Sequence, residues 1–160
     1  MFKVEFHIVH QGCLANEMSR AFPTLRFICP GGFIADSSVS ELVALDAPDD
    51  EDVQAVMDFF AGRDEIVEAK LLERTADKAF IHYTSSRMPE TFCSQVVQRN
   101  CGFPIGMEMQ EAGLEKWTVA CVKRGQAESL LKDLETLGQI QHADITETSW
   151  QELLTPAGGK

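Results

Sequence analysis

Residues 2–10 (FKVEFHIVH) set Phe2, Val4, Phe6 and Ile8 against Lys3, Glu5 and His7, an alternation that predicts a half-buried strand. Over 12–21 the period changes: Leu14, Met18 and Ala21 share a helical face, and Pro23 stops the helix. Alternation resumes over 24–29, Pro30-Gly31-Gly32 breaks or bulges the strand, and 33–38 lead into a second strand over 39–45. Pro48-Asp49-Asp50 supplies an acidic helix start, with Glu51 and Asp52 favourable at the positive end of the helix dipole. Val53, Val56, Met57 and Phe60 then recur at helical spacing until Ala61-Gly62, and 66–73 reads as a closing strand.

The same strand–helix–strand–strand–helix–strand order returns over 77–147, displaced by about 75 positions. Phe6-His7-Ile8 falls on Ile81-His82-Tyr83. Val53, Val56, Met57 and Phe60 fall on Ala127, Leu130, Leu131 and Leu134, and Ile66, Ala69 and Leu71 on Ile140, Ala143 and Ile145. In this second copy Pro89 suits the first turn of a helix whose stripe is Phe92, Val96 and Val97. A hairpin follows over 103–123 with Trp117, Val119 and Cys121 on one face, then a helix over 125–137 and a strand over 139–147.

The expected fold is therefore α+β: two tandem duplicated βαββαβ units of ferredoxin-like, ACT-like type, each an antiparallel sheet with both helices on one face. The units are assigned to 1–74 and 77–148, joined by the short link Thr75-Ala76-Asp77, with 149–160 a flexible tail. By analogy each sheet takes the order 4-1-3-2, which leaves one face of each sheet without helices. Glu5, His7, Glu68 and Lys70 would lie on that open face in the first unit, and Phe80, His82, His142 and Asp144 in the second. Neighbouring first and fourth strands would set His82 beside His142, with Asp144 close. Two imidazoles and a carboxylate can hold a divalent cation or, when protonated, an anion; a solvated polar face or a subunit interface is the plainer reading. The first strand-to-helix turn, His10-Gln11-Gly12, presents backbone N–H groups to a small anion or simply caps the helix. His7, His10, His82, His142 and Asp144 are thus the candidate ligand-binding residues, and neither a metal nor a cofactor is expected.

Composition narrows the function classes. The 160 residues carry 14 Lys and Arg against 25 Asp and Glu, a net charge of −11, which argues against direct binding of duplex nucleic acid. No apolar run is long enough to span a membrane, and the alternating amino terminus does not resemble a signal peptide, so a cytoplasmic location is expected. The five cysteines lack CxxC spacing and read as free thiols, Cys29 and Cys121 as small core hydrophobes, with a redox or thiolate role for Cys93 and Cys101 as the alternative. No GxSxG, HExxH or HxxEH motif occurs. A strand tryptophan such as Trp117 belongs to a core more often than to a stacking site for a flat ligand.

Several stretches together resemble the amino-terminal region of archaeal helix-turn-helix regulators similar to the bacterio-opsin activator. They are FKVEFHIVH, SRAFP, DDEDVQAVMDFF, WTVACVKRGQAESLLKDLETLG and ADITETSWQELLTP, a loose pattern over most of 1–155. In such regulators a leucine-threonine pair leads into the DNA-binding module, and Leu154-Thr155-Pro156 stands in that place. The resemblance implies a non-enzymatic regulatory or sensory domain of a transcription regulator that binds a small-molecule effector, a partner or itself, with a homodimer as the expected assembly. Two other functions fit the pattern: a small α+β-barrel enzyme with His and Asp as acid–base groups on the open face, and a protein–protein interaction module.

Overall fold

The alternating and helical stretches fold as β1 (Phe2–His10), α1 (Leu14–Ala21), β2 (Arg26–Ala35), β3 (Ser38–Asp46), α2 (Asp50–Ala61), β4 (Ile66–Arg74), β5 (Lys78–Ser85) and α3 (Cys93–Arg99), followed by β6 (Phe103–Pro104), β7 (Glu108–Glu111), β8 (Leu114–Cys121), α4 (Arg124–Leu134), β9 (Gly138–Glu147) and α5 (Trp150–Leu154). These come from a computed structural model, which describes residues 1–87 and 91–155. The helix start expected at Pro89 and the last residues of the expected tail lie outside the described residues. The protein is α+β, with nine strands and five helices among the described residues. None of these helices is long and apolar enough to cross a membrane.

The chain divides into two compact units that interleave along the sequence. The larger comprises His10–Glu90 and Met107–Glu115; the smaller comprises Met1–Val9, Thr91–Gly106 and Lys116–Lys160. These do not coincide with 1–74 and 77–148. The opening strand of the first half lies in the smaller unit, and β5, the opening strand of the second half, lies in the larger.

In the larger unit the strand order is β4-β5-β3-β2-β7, and every pairing in it is antiparallel. The cause is the link at 75–77. Three residues are too few for a crossover, so β4 returns directly as β5 in a hairpin, closed by Thr75 N–H donating to Lys78 O at 2.9 Å. β5 thereby fills the place between β4 and β3 that the 4-1-3-2 order assigns to the first strand. In the smaller unit β1 lies between β8 and β9, and β6 pairs antiparallel with β8.

Each unit has its own core. In the larger, Leu14 and Met18 of α1 and Val53, Val56 and Phe60 of α2 pack on Phe27, Val43, Leu45, Ile81 and Tyr83. In the smaller, Val96, Val97, Leu130 and Leu134 of α3 and α4 pack on Val4, Phe6, Ile8, Val119 and Cys121. The apolar set that alternates along each strand is the set that faces the helices.

Local chemistry explains several ends. Asp36 and Ser37, both with positive φ, make the tight turn between β2 and β3, a twist that suits a two-residue hairpin. Asp49 accepts from Asp52 N–H at 2.8 Å while Asp52 accepts from Asp49 N–H at 3.0 Å, a reciprocal cap on α2. Asp49→Ala is therefore expected to lower stability by about 1 kcal/mol in urea unfolding, with Asp49→Asn nearly neutral. Residues 150–154, expected in a flexible tail, form α5, whose first turn Ser149 and Glu152 cap in the same reciprocal way.

Candidate functional site

The inner, helix-facing side of the larger unit should be apolar throughout, yet one end of it is not. Alternation from Val43 and Leu45 back along β3 brings Glu41 to the same face, across from Tyr83 on β5. Alternation from Phe27 along β2 brings Cys29 there, and the β2–β7 register sets Cys29 against Glu108 and Phe27 against Gln110. His10 ends β1 in step with Val4, Phe6 and Ile8, Cys13 is the N-cap residue of α1, and Glu115 is the second residue of β8. Ionisable groups thus occupy positions that the strand pattern reserves for core.

Backbone irregularities make room for them. The β2–β3 register steps from Ile28↔Ala44 to Gly31↔Leu42, so Cys29 and Pro30 together oppose Val43 in a bulge. The bulge spares Pro30 a ladder bond that it cannot donate. Gly32 approaches β3 closely: a Cβ there would meet Glu41 Cγ and Ser40 O at 2.6 Å, so only glycine leaves the Glu41 stem its place.

Hydrogen bonds tie the cluster together. His10 Nδ1 lies 3.0 Å from Glu115 Oε2, with side chains only 2% and 4% exposed. Tyr83 Oη donates to Glu41 Oε2, and Gln110 Nε2 donates to Glu108 Oε1 at 2.6 Å. Asn16 of α1 donates to Gln110 Oε1 at 3.1 Å and to Gly113 O at 3.0 Å, while Gly113 N–H donates to Ser19 Oγ at 3.0 Å. These bonds pin α1 to the β7–β8 hairpin. Glu17 adds a clamp at the rim, pairing with Arg63 at 2.7 Å and Arg87 at 2.5 Å.

The electrostatics are one-sided. Burial pushes the Glu108 carboxyl well up, and Glu115 and Glu41 push it further against the Gln110 hydrogen bond. Burial also raises Glu41; the Tyr83 hydrogen bond and His10 oppose this, while Glu115 adds to it. The Cys13 thiol is held well above its ordinary value by burial and then by Glu115, Glu41 and Glu108, with the Asn16 backbone N–H opposing. Cys29 is raised well for the same reasons, burial first and Glu108 next. The groups that weigh most on each other here are acids and thiols, an arrangement that favours protons or a cation.

One subset has the make-up of a metal site. His10, Cys13 and Glu115 are all buried, and one donor atom from each lies within 4.8 Å of the others. Nitrogen, sulfur and oxygen together suit a borderline divalent transition ion better than calcium or magnesium, which prefer oxygen alone.

Of the residues singled out from sequence, His10 belongs to this cluster. His82 does not lie beside His142. It pairs across the backbone with Leu42 and Lys70 in the larger unit, because the 75–77 hairpin fixes β5 between β4 and β3. His142 has His7 as its neighbour instead, with ring centroids 4.8 Å apart on β9 and β1 of the smaller unit. Asp144 is exposed on β9 and accepts from Thr146 Oγ1 at 2.9 Å. Cys121 is a core residue of the smaller unit, Cys93 is buried and Cys101 exposed, whereas Cys29 borders the acidic cluster. Trp117 stacks on Phe6 at 6.3 Å, packed against the smaller core.

Cys13, Glu41, Glu108 and Glu115 escape the sequence reading, although extending the face of Trp117, Val119 and Cys121 leads back to Glu115. Glu41 shares the face of Val43 and Leu45, which a period of two along 39–45 also contains.

Comparison with curated proteins and with solved structures returned no match. A protein-family model described as HVO_2525_N, N-terminal, matches residues 3–140. A match over that much of the sequence makes the chain a member of the HVO_2525_N N-terminal family.

Proposed function

We propose that the chain is a non-enzymatic sensory module of a transcription regulator, with its effector site at the acidic, thiol-containing cluster of the larger unit. The observation that carries this reading is the set of ionisable side chains on the helix-covered face. Groups at such positions are costly to hold charged even when hydrogen-bonded, and a ligand that offsets that cost stabilises the form it binds. The family description, which names an amino-terminal domain, and the resemblance to regulators of the bacterio-opsin-activator type favour a module that works beside a DNA-binding one. The net charge of −11 fits a sensing rather than a DNA-contacting part.

The strand orders support a doubled ferredoxin-like origin with a twist. In this reading the two copies exchange opening strands: β5 takes the first-strand place beside β3 and β4, and β1 takes it beside β8 and β9. The effector would act by binding one arrangement of the module more tightly than another. A homodimer is part of the same reading.

Thermal unfolding of the chain against amino acids, nucleotides and divalent metals tests it, with light scattering on each mixture. At least one effector is expected to raise the midpoint in the wild type and to lose most of that effect in Glu41→Gln/Glu108→Gln. A panel in which no member moves the midpoint would remove the sensing role.

A further inference from the structure

We infer that His10, Cys13 and Glu115 bind a divalent transition cation of the zinc class, and that this cation is the effector of the sensory module. The assignment rests on the sensory reading above and names its ligand.

Three observations converge on it. The donors come from three different elements, and each is fixed by backbone: His10 by the end of β1, Cys13 by the helix N-cap, Glu115 by β8. All three are buried, and the 4.8 Å within which their donor atoms lie is close to what one ion requires. Bonds of about 2.0–2.3 Å put tetrahedral donors roughly 3.4–3.6 Å apart. His10 Nδ1 and Glu115 Oε2 stand 3.0 Å apart in a hydrogen bond, which an ion would open by a few tenths of an ångström as it takes the place of the shared proton. The second ring of groups is acidic as well, Glu41 and Glu108 standing where their charge favours a cation and disfavours an anion. A cation at this place would convert the Cys13 thiol into its strongest donor.

Binding proceeds with a simple balance. The Cys13 Sγ–H bond breaks and its proton leaves to solvent; the proton between His10 Nδ1 and Glu115 Oε2 also leaves to solvent, the neutral imidazole keeping one on Nε2. Sγ then donates as thiolate, beside Nδ1 and a Glu115 carboxylate oxygen. The ion joins the β1–α1 turn to the β7–β8 hairpin, two segments otherwise tied through Asn16, Ser19, Gln110 and Gly113. Calcium and magnesium, which seek six or more oxygens, are not matched by this donor set.

The experiment uses the full chain stripped of metal with a chelator and then titrated with Zn²⁺, Co²⁺, Mg²⁺ and Ca²⁺. One equivalent of Co²⁺ is expected to produce a thiolate-to-cobalt charge-transfer band, and Zn²⁺ to displace it and raise the unfolding midpoint. Cys13→Ser should abolish the band and weaken Zn²⁺ binding beyond the about ten- to hundredfold that changes outside the first ligand shell cost. Cys101→Ser, which removes an exposed thiol, should leave both unchanged. Should Cys13→Ser not fold, Glu108→Gln supplies the readout, with a roughly tenfold weaker affinity and the band retained. The assignment is overturned if wild type gives no band, or if the band survives Cys13→Ser and disappears with Cys101→Ser. If a non-metal effector raises the midpoint while Zn²⁺ does not, the cation assignment falls and the sensory reading stands. If nothing raises it, both fall.

Discussion

Replacing Phe60 by alanine is expected to cost about 3–5 kcal/mol of stability, because the ring is fully enclosed and its neighbours cannot close the gap. Phe60 stacks on Tyr83 with centroids 4.8 Å apart and meets Phe59 edge-on at 5.8 Å. Alanine removes both aromatic contacts and leaves a void at the centre of the larger core. For a chain of this length the loss corresponds to a fall of roughly 10 °C in the unfolding midpoint. The void would also deprive Tyr83 of the surface that holds its hydroxyl toward Glu41, so the variant should lose ligand response along with stability. Urea unfolding measures the first effect, and hydrogen exchange across β3 and β5 the second. Phe33, 64% exposed on β2, is the control and should change by less than about 0.5 kcal/mol. A loss below about 1 kcal/mol for Phe60→Ala would mean that this core is not packed as described.

Much of the secondary structure is legible in the hydrophobic pattern because period follows burial. Phe6 and Ile8 face one core, Val53, Val56 and Phe60 the other, and each lies in an element that its spacing predicts. The partnership of strands is less legible, since it depends on link length rather than on side-chain period. Thr75-Ala76-Asp77 reads as a boundary between two units, but a link so short acts as a hairpin turn and pulls β5 onto β4. That one consequence moves His82 away from His142 and brings His7 to it.

The candidate site was half hidden for a different reason. A glutamate in an alternating strand is read as solvent-facing, because a buried carboxylate is costly and therefore rare. The buried Glu115 and the half-buried Glu41 break that expectation in strands whose apolar neighbours fix the inner face, and Leu42 is correspondingly 42% exposed. Local rules fail at this cluster together, which is where departures from foldability are expected to mark function. His10 stands out in the sequence only as part of the turn His10-Gln11-Gly12, read there as an anion site or a cap, whereas its side chain joins an acidic cluster; Cys13 does not stand out, because a lone thiol reads as core.

With metal removed by chelator, stability is expected to fall as pH rises above the ordinary carboxylate range near 4.5. Glu41 and Glu108 have their pKa raised on folding, so between that range and their folded values the native state holds more protons than the unfolded chain. Stability then decreases with pH, by up to about 1.4 kcal/mol per pH unit for each group while it titrates. Below pH 4.5 the slope reverses, because Glu65 is held down by a hydrogen bond from its own backbone N–H and then by Arg63, and Glu68 and Asp77 by Lys70 and Lys78, contacts that protonation weakens. The groups facing Glu41 and Glu108 are Glu115, His10, Cys13, Cys29 and Tyr83, and their arrangement is retained when the two glutamates become glutamines that still accept from Tyr83 and Gln110. Urea midpoints of wild type and Glu41→Gln/Glu108→Gln from pH 5 to 8 measure the difference. The double variant should show a flatter profile and exceed wild type most at pH 8. Added Zn²⁺ should flatten the wild-type profile in the same way, since a bound cation holds the carboxylates charged without a proton. Parallel profiles for the two proteins would show that these glutamates ionise freely, and the acidic cluster would then exert no pull on a cation.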